Sequence, residues 1–154
     1  MTYLFLTLYT RYFIRHTVSM RFLGIDYGAK RLGIAVSDEK AGFAFPKETI
    51  PNDASAIDRI TKIVKEEEVK VLVMGDTRAA NGAENPITEE ADAFAQSLSR
   101  HVGLPIEWVR EAWSSVEAAR FAPKGKEHDD AAAAAIVLQR FLDMRRQPET
   151  EEEL

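Results

Sequence analysis

Residues 20–38, MRFLGIDYGAKRLGIAVSD, decide the fold of this chain. Alternation of side chains from Phe22 to Asp26 predicts a strand that ends on a carboxylate, because successive strand residues point to opposite faces. A glycine-containing turn follows, and residues 32–36 predict the antiparallel return strand of a hairpin. Asp26 is therefore expected at the carboxyl end of the first strand, on the same face as Phe22.

Three glycines, Gly24, Gly28 and Gly33, surround this aspartate in the predicted hairpin. We expect them to leave space around the carboxylate for a hard cation or a phosphate, since a missing side chain allows close approach to the backbone. The alternative is that Asp26 begins an Asx-type turn and the glycines serve the hairpin. The pattern G-x-D-x-G occurs on ribonuclease H-like sheets both in metal-dependent nucleases and in actin-like ATPases and sugar kinases.

The length of 154 residues predicts one domain with a substantial core. It disfavours the actin-like ATPases, which close two such domains around a nucleotide. The absence of cysteine excludes disulfides, thiolate metal sites and cysteine catalysis, and it agrees with a cytoplasmic protein. The histidines at positions 16, 101 and 128 have no zinc-like spacing, so we expect them on the surface or in loops.

The two ends of the chain differ from its centre. Residues 1–19 are apolar and aromatic but carry Arg11 and Arg15, which makes them a poor signal peptide and too short a membrane span. We expect a leader from a wrongly assigned start codon or a disordered segment, with a peripheral membrane anchor as the alternative. Residues 146–154 predict a mobile acidic tail whose glutamates account for most of the net charge of -5. Nucleic-acid binding would therefore depend on local basic patches.

The pattern of residues 20–145 predicts an α/β domain: a mixed sheet that begins with an antiparallel hairpin, continues with parallel strands, and has helices on both faces. A third extended segment over residues 41–50 contains Pro46, which suits an edge strand. The remaining strands are expected over 70–75 and 104–111. The helices are expected from Asp53 to about 68, from 86 to about 101, over 114–121 after the S-x-x-E capping box, and from 129 to about 145.

Three carboxylates stand at the ends of these predicted elements: Asp26, Glu111 and Asp130. Asp130 shares a helical stripe with Ala134, Val137, Leu138 and Phe141, so it faces the sheet, whereas Asp129 does not. Converging carboxylates repel one another, and a divalent cation would compensate them. Each also has a structural interpretation: Glu111 as an exposed strand end, and Asp129 and Asp130 as caps of the last helix.

The chain resembles the YqgF/RuvX family of small bacterial ribonuclease H-like proteins, which are candidate pre-16S rRNA nucleases and candidate Holliday junction resolvases. The resemblance runs from about residue 20 to residue 142. It rests on four segments, which are GIDYGAKRLGIAVSD, VLVMG with the following Asn81-Gly82 loop, REAWSSVEAAR, and DDAAAAAIVLQRFLD. It also includes the Ser37-Asp38 pair after the second strand.

The resemblance implies a metal-dependent nuclease in which Asp26, Glu111 and Asp130 are catalytic and hold Mg²⁺ or Mn²⁺. The implied substrate is structured RNA, in 5′-end processing of the 16S rRNA precursor, or branched DNA; no membrane is involved, and the protein is a monomer or a weak homodimer. The residues expected to contact nucleic acid are Lys30, Arg31, Arg78, Asn81, Lys124 and Lys126.

Two departures from the family pattern bear on activity. The chain has Arg110-Glu111-Ala112 where the family usually has Asp-Glu-Arg, and the basic run before the last helix is reduced to Lys124 and Lys126. Strand alternation would place Arg110 on the opposite face from Glu111. A protein that binds RNA in ribosome assembly without cleaving it is therefore a third possibility.

Overall fold

The computed structural model describes residues 19–76, 86–110 and 129–146. They form five strands and three helices. The strands are β1 (Arg21–Tyr27), β2 (Arg31–Ser37), β3 (Ala44–Pro51), β4 (Val69–Asp76) and β5 (Ile106–Arg110); the helices are α1 (Ala56–Glu66), α2 (Pro86–Val102) and α3 (Asp130–Arg146).

The strands form one mixed sheet with the order β3-β2-β1-β4-β5. β2 is antiparallel to both β1 and β3, whereas β4 is parallel to β1 and β5 is parallel to β4. β4 is buried at every position except Lys70, as expected for an apolar strand in the middle of a sheet. The predicted antiparallel hairpin followed by parallel strands is confirmed.

β3 forms one edge of this sheet, as its proline predicted. Ile34 pairs with Glu48 and Ala35 with Pro46, which leaves Lys47 as the extra residue of a bulge. Proline has no N–H to donate, so within sheets it occurs in edge strands and at bulges, where no hydrogen bond between strands is lost.

Helices cover both faces of the sheet and divide the core in two. On one face, Ile60 and Ile63 of α1 and Leu98 of α2 pack in a cluster with strand residues that include Leu23 and Leu72. On the other face, α3 packs onto β1, β2 and β4 through a second cluster; its members include Phe22, Ala35, Val73, Val137, Leu138 and Phe141. Within the three described ranges, none of the helices combines the length and the apolar character needed to cross a membrane.

The start of α1 differs from the prediction. Asp53 does not cap the helix, which begins at Ala56 with Ser55 in the N-cap position. The Asp53 carboxylate instead accepts hydrogen bonds from the backbone N–H and the hydroxyl of Ser55, at 2.9 and 2.6 Å, and so forms a turn before the helix. These hydrogen bonds lower the pKa of the Asp53 carboxyl.

The other boundaries agree with the prediction more closely. β5 begins at Ile106, not at residue 104, and the Pro105 carbonyl just before it accepts a hydrogen bond from the Leu72 N–H of β4 at 3.0 Å. α1 ends at Glu66, and Glu68 has a φ of 53°, the left-handed conformation that commonly follows a helix. The predicted helix over 114–121, most of the leader over 1–19 and the tail beyond residue 146 lie outside the described residues.

Candidate functional site

α3 lies along β1 and runs in the opposite direction. Near the C-terminal end of the helix, the rings of Phe141 and Phe22 are 5.5 Å apart between centroids. Further back, a Cβ on Gly24 would lie 2.8 Å from the Cβ of Leu138. At the N-terminal end, a Cβ on Gly33 would overlap the carbonyl oxygen of Asp130.

These contacts correct the prediction that the glycines leave space for a ligand. The space above Gly24 and Gly33 is filled by α3, which approaches the sheet closely because both side chains are absent. Gly28 serves its own turn, since a Cβ there would lie 2.6 Å from the carbonyl oxygen of Arg31. The glycines therefore position the helix and shape the hairpin.

The same packing brings Asp26 to the start of α3. Phe22 lies on the α3 face of the sheet, and strand alternation puts Gly24 and Asp26 on that face as well. Asp26 is the register partner of Gly33, and Gly33 lies directly beneath the Asp130 backbone. Asp26, which is partly buried within β1, and Asp130 therefore stand at one end of the α3 face.

Asp130 points inward, as its helical stripe predicted, and its side chain is only 15% exposed. One carboxylate oxygen, Oδ2, accepts a hydrogen bond from Nε of Arg31 at 2.9 Å. Asp129 caps the helix: its Oδ1 accepts a hydrogen bond from the Ala132 N–H at 3.2 Å in the first turn of α3. The interpretation of Asp129 as the cap is confirmed, and Asp130 is left for another role.

The turn that precedes Arg31 is held by Asn52, which follows β3. The Asn52 side chain donates from Nδ2 to the Gly28 carbonyl at 2.8 Å, and its backbone N–H donates to the Lys30 carbonyl at 3.0 Å. Within the turn, the Gly28 N–H donates to the Arg31 carbonyl at 3.0 Å. The backbone of residues 28–31 is thus held both by Asn52 and by its own hydrogen bond within the turn.

The residues at this end of α3 suit a hard cation in part. Asp26 and Asp130 provide carboxylate oxygens, the ligand type that Mg²⁺ and Mn²⁺ prefer. Across residues 19–76, 86–110 and 129–146, no group of three His, Cys, Asp or Glu side chains is placed to hold a metal ion. Glu111, the third ligand expected from the sequence, lies outside the described residues.

Of the residues expected to contact nucleic acid, Lys30 in the β1–β2 turn and Arg31 at the start of β2 are exposed, and Arg31 contacts Asp130. Their position gives this end of the sheet a cationic rim beside an acidic centre. The other expected contacts lie outside the described residues: Arg78, Asn81, Lys124 and Lys126.

Ser37 and Asp38, the pair shared with the family pattern, have structural partners. The buried Ser37 Oγ accepts from the Phe22 N–H at 2.9 Å, which ties the end of β2 to the start of β1. The Asp38 carboxylate accepts from the backbone N–H groups of Gly42 and Phe43, at 2.7 and 3.0 Å, and so closes the turn into β3. These contacts lie at the opposite end of β1 from Asp26.

Asp76, one residue beyond the strand predicted over 70–75, is the last residue of β4 and is 8% exposed. It shares the face of Leu72 and Met74, which pack against the cluster under α1 and α2, so it points away from the face of Asp26. Its register partner is Arg110, which lies on the same side. Arg110 therefore lies on the face away from α3, whereas Glu111, from which the sequence predicted it to be separated, lies outside the described residues.

A network of ion pairs joins β1, β3 and the end of α1. Glu67 accepts from Lys47 Nζ at 2.7 Å and from Arg21 at 2.8 Å, and Arg21 also pairs with Glu39 at 3.0 Å. The hydrogen bond from Lys47 lowers the pKa of the Glu67 carboxyl, and the same contact raises the pKa of Lys47. Glu67 thus links the start of β1, the bulge of β3 and the end of α1.

Comparison with known proteins relates most of the chain to one family. The model of the RuvX family, described as Holliday junction resolvase, matches residues 20–144. A candidate pre-16S rRNA nuclease of Bordetella pertussis is 37% identical over 128 residues, covering 82% of this chain and 96% of that relative. Another of the same name, from Chloroflexus aggregans, is 35% identical over 135 residues, covering 82% and 95% respectively.

Solved structures show the same fold. RuvC of Thermus thermophilus has a TM-score of 0.54 at 15% identity, covering 82% of this chain and 96% of that protein. RuvC of the same organism in complex with a Holliday junction substrate has a TM-score of 0.53 at 16% identity, covering 82% and 95%. The ribonuclease H-like sheet predicted from the sequence is thereby confirmed. With a family model that matches residues 20–144 and relatives more than one-third identical, this chain belongs to the RuvX family.

Proposed function

We propose that this protein is a metal-dependent nuclease that hydrolyses phosphodiester bonds in structured RNA, in the processing of the 5′ end of the 16S rRNA precursor. The observation that carries the proposal is the convergence of Asp26 and Asp130, from β1 and α3, on one end of the sheet. The names of the Bordetella and Chloroflexus relatives support an RNA substrate of this kind. A precursor of ribosomal RNA would be met in the cytoplasm.

The roles of the residues follow from their chemistry. Asp26, Asp130 and Glu111 would hold Mg²⁺ or Mn²⁺, since all three offer hard oxygen ligands. When bound, such an ion supplies Lewis acidity at the scissile phosphate and compensates the charge of the carboxylates. Lys30 and Arg31 would bind the phosphates that flank the cleaved bond, because their cationic groups are exposed at the rim of the same site.

The fixed backbone of the site supports a catalytic role. The close contact at Gly33 holds the first turn of α3 against β2, and Asn52 holds the β1–β2 turn. The carboxylate of Asp130 and the cationic residues next to the turn are therefore fixed relative to each other. Positioning of charged groups before the substrate arrives is what phosphodiester hydrolysis requires. The remaining proposed contacts, Arg78, Asn81, Lys124 and Lys126, would extend the grip on the RNA.

A Holliday junction resolvase is the second candidate, favoured by the description of the family model. The same carboxylates would then act on branched DNA. Two symmetric cuts need two sites related by a two-fold axis, so this function requires a dimer. A protein that stays monomeric at its working concentration would not resolve junctions.

The third candidate is an RNA-binding assembly factor without turnover. It is favoured by the sequence Arg110-Glu111-Ala112, in which a cation precedes the glutamate and the arginine usual after it is absent. Such a protein would bind the precursor RNA equally well with and without a divalent metal and would never cleave it.

One experiment separates the three candidates. The chain from Met20 is incubated with a labelled 16S precursor transcript and, in parallel, with a labelled four-way DNA junction, in Mn²⁺ and in EDTA. We expect cleavage of the RNA in Mn²⁺ and none in EDTA, with the activity lost in Asp26→Asn. Cleavage of the junction alone would favour the resolvase, and binding without cleavage of either substrate would favour the assembly factor.

A further inference from the structure

The contact between Arg31 and Asp130 joins two groups for which the proposed nuclease has separate uses. Nε of Arg31 lies 2.9 Å from Oδ2 of Asp130. The carboxylate is a proposed ligand of the metal, and the guanidinium is a proposed contact to phosphate. While they are paired, each group is engaged by the other.

A divalent cation on Asp130 would conflict with this pair. The cation and the guanidinium would both stand within a few ångström of one carboxylate and would repel each other, although solvent around the exposed arginine weakens this repulsion. The Asp130 side chain is 15% exposed, so its negative charge needs a compensating positive charge both with and without the metal. Arg31 is the partner that the protein itself provides.

The Arg31 side chain is suited to leave. It is 59% exposed, and a pair with one exposed member is weak. Its backbone stays in place meanwhile, because the Arg31 carbonyl accepts from Gly28 and the turn is held by Asn52. Departure of the guanidinium would therefore change the direction of one long side chain and leave the hairpin intact.

We propose that Arg31 and the divalent cation exchange at Asp130. Without metal, Arg31 neutralises Asp130 and keeps it in the site. When metal is bound, the guanidinium is released to a phosphate of the RNA at the exposed rim. Arg31 thus pairs with Asp130 in the metal-free protein and with RNA phosphate in the metal-bound protein, and this inference rests on the proposed metal-dependent nuclease.

The exchange has two measurable consequences. Removal of Arg31 abolishes the competition for Asp130, so the metal should bind more tightly. It also removes a phosphate contact that exists only in the metal-bound protein, so the loss of RNA affinity should depend on metal. Metal and RNA would then favour each other's binding through this side chain, as two coupled ligands must.

The first arm of the test measures Mn²⁺ binding by isothermal titration calorimetry, with the metal alone. We expect Arg31→Ala to bind Mn²⁺ about 2–5-fold more tightly than wild type, the factor that release of a weak ion pair gives. Arg31→Gln, which keeps most of the side-chain length, provides a second neutral variant in case the alanine variant does not fold. The matched control is Arg59→Ala, which removes another arginine–carboxylate pair, with Glu48, at 3.1 Å; its Mn²⁺ affinity should equal that of wild type.

The second arm measures fluorescence anisotropy of a labelled 16S precursor transcript, in Ca²⁺ and in EDTA, with strand integrity checked on a gel. In Ca²⁺, Arg31→Ala should weaken RNA binding several-fold and lower the salt-dependence slope by about one, the value of a single lost phosphate contact. In EDTA, the loss should be much smaller.

The outcomes separate the exchange from the function on which it rests. Mn²⁺ binding to Arg31→Ala that equals or is weaker than wild-type binding would overturn the exchange while the metal site stands. An equal loss of RNA affinity in Ca²⁺ and in EDTA would do the same. Absence of Mn²⁺ binding to the wild type would overturn the metal-dependent nuclease and the exchange together.

Discussion

The carbonyl oxygen of Asp130 occupies the place that a Cβ of Gly33 would take. This contact fixes the first turn of α3 against β2. Asp26 of β1 is the register partner of Gly33, so it lies next to the same contact. The geometry of the proposed site therefore depends on a residue that has no side chain.

Gly33→Ala should test this dependence. The added methyl group would overlap backbone, which cannot rotate away, so α3 must shift from the sheet. We expect a loss of about 3 kcal/mol in the free energy of unfolding, measured by urea denaturation, because overpacking against a rigid element has costs of this size. Mn²⁺ affinity should fall as well, since Asp130 moves with the helix.

Gly42→Ala is the matched control for that substitution. Its Cβ would meet only the Asp38 carboxylate oxygens, at 3.7 and 3.8 Å, which is ordinary van der Waals contact. We expect a change within about 0.5 kcal/mol. Similar stability of the two variants would contradict the close packing of α3 on Gly33.

Asn52→Ala should loosen the β1–β2 turn. The variant loses the hydrogen bond from Nδ2 to the Gly28 carbonyl, which is 2.8 Å long, and we expect a loss of about 1 kcal/mol in the free energy of unfolding. Hydrogen exchange at the Gly28 amide, which bonds the Arg31 carbonyl, should accelerate in NMR measurements. Unchanged exchange at Gly28 would show that the turn holds without Asn52.

Glu67→Gln should destabilise the protein in a pH-dependent way. Because Lys47 and Arg21 lower the pKa of the Glu67 carboxyl, its contribution is present above the ordinary value of 4.5 and is lost as the pH falls through the lowered value. We expect a deficit of about 0.5–1 kcal/mol at pH 7, measured by urea denaturation, that narrows below pH 4.5.

Glu66→Gln provides the control for the ion-pair network. Glu66 is 56% exposed and stands 3.8 Å from Lys62, a pair too exposed and too long to contribute much. The free energy of unfolding of Glu66→Gln should equal that of wild type across the same pH range. A deficit for Glu67→Gln that stays constant down to pH 3 would contradict the role of the charged carboxylate.

The sequence predicted the features that depend on neighbouring residues. Alternation in residues 22–26 predicted the strand and the face of Asp26, and helical spacing from Asp130 to Phe141 predicted the inward face of α3; the structure agrees on both. The capping role of Asp129 was likewise visible from its place just before the apolar stripe.

Contacts between distant residues were not predictable in this way. Arg31 and Asp130 are separated by 99 positions, and no local pattern indicates their pair. Gly24 and Gly33 leave room above the sheet, but no local pattern indicates what fills that room. A ligand was therefore expected where the structure places α3. Asp53 had the residue type of a cap, yet the nearby Ser55 N–H and hydroxyl were better placed to bind it.

Two adjacent aspartates, Asp129 and Asp130, test the carboxylate site at the start of α3. The cleavage rate of a labelled 16S precursor transcript in Mn²⁺ is measured for wild type, Asp130→Asn and Asp129→Asn. Asparagine caps a helix as well as aspartate does, so Asp129→Asn should cut at close to the wild-type rate. Asp130→Asn loses a charged ligand and should cut at least about 100-fold more slowly, the loss expected for an essential group. Equal rates for Asp130→Asn and wild type would contradict the carboxylate site at the start of α3.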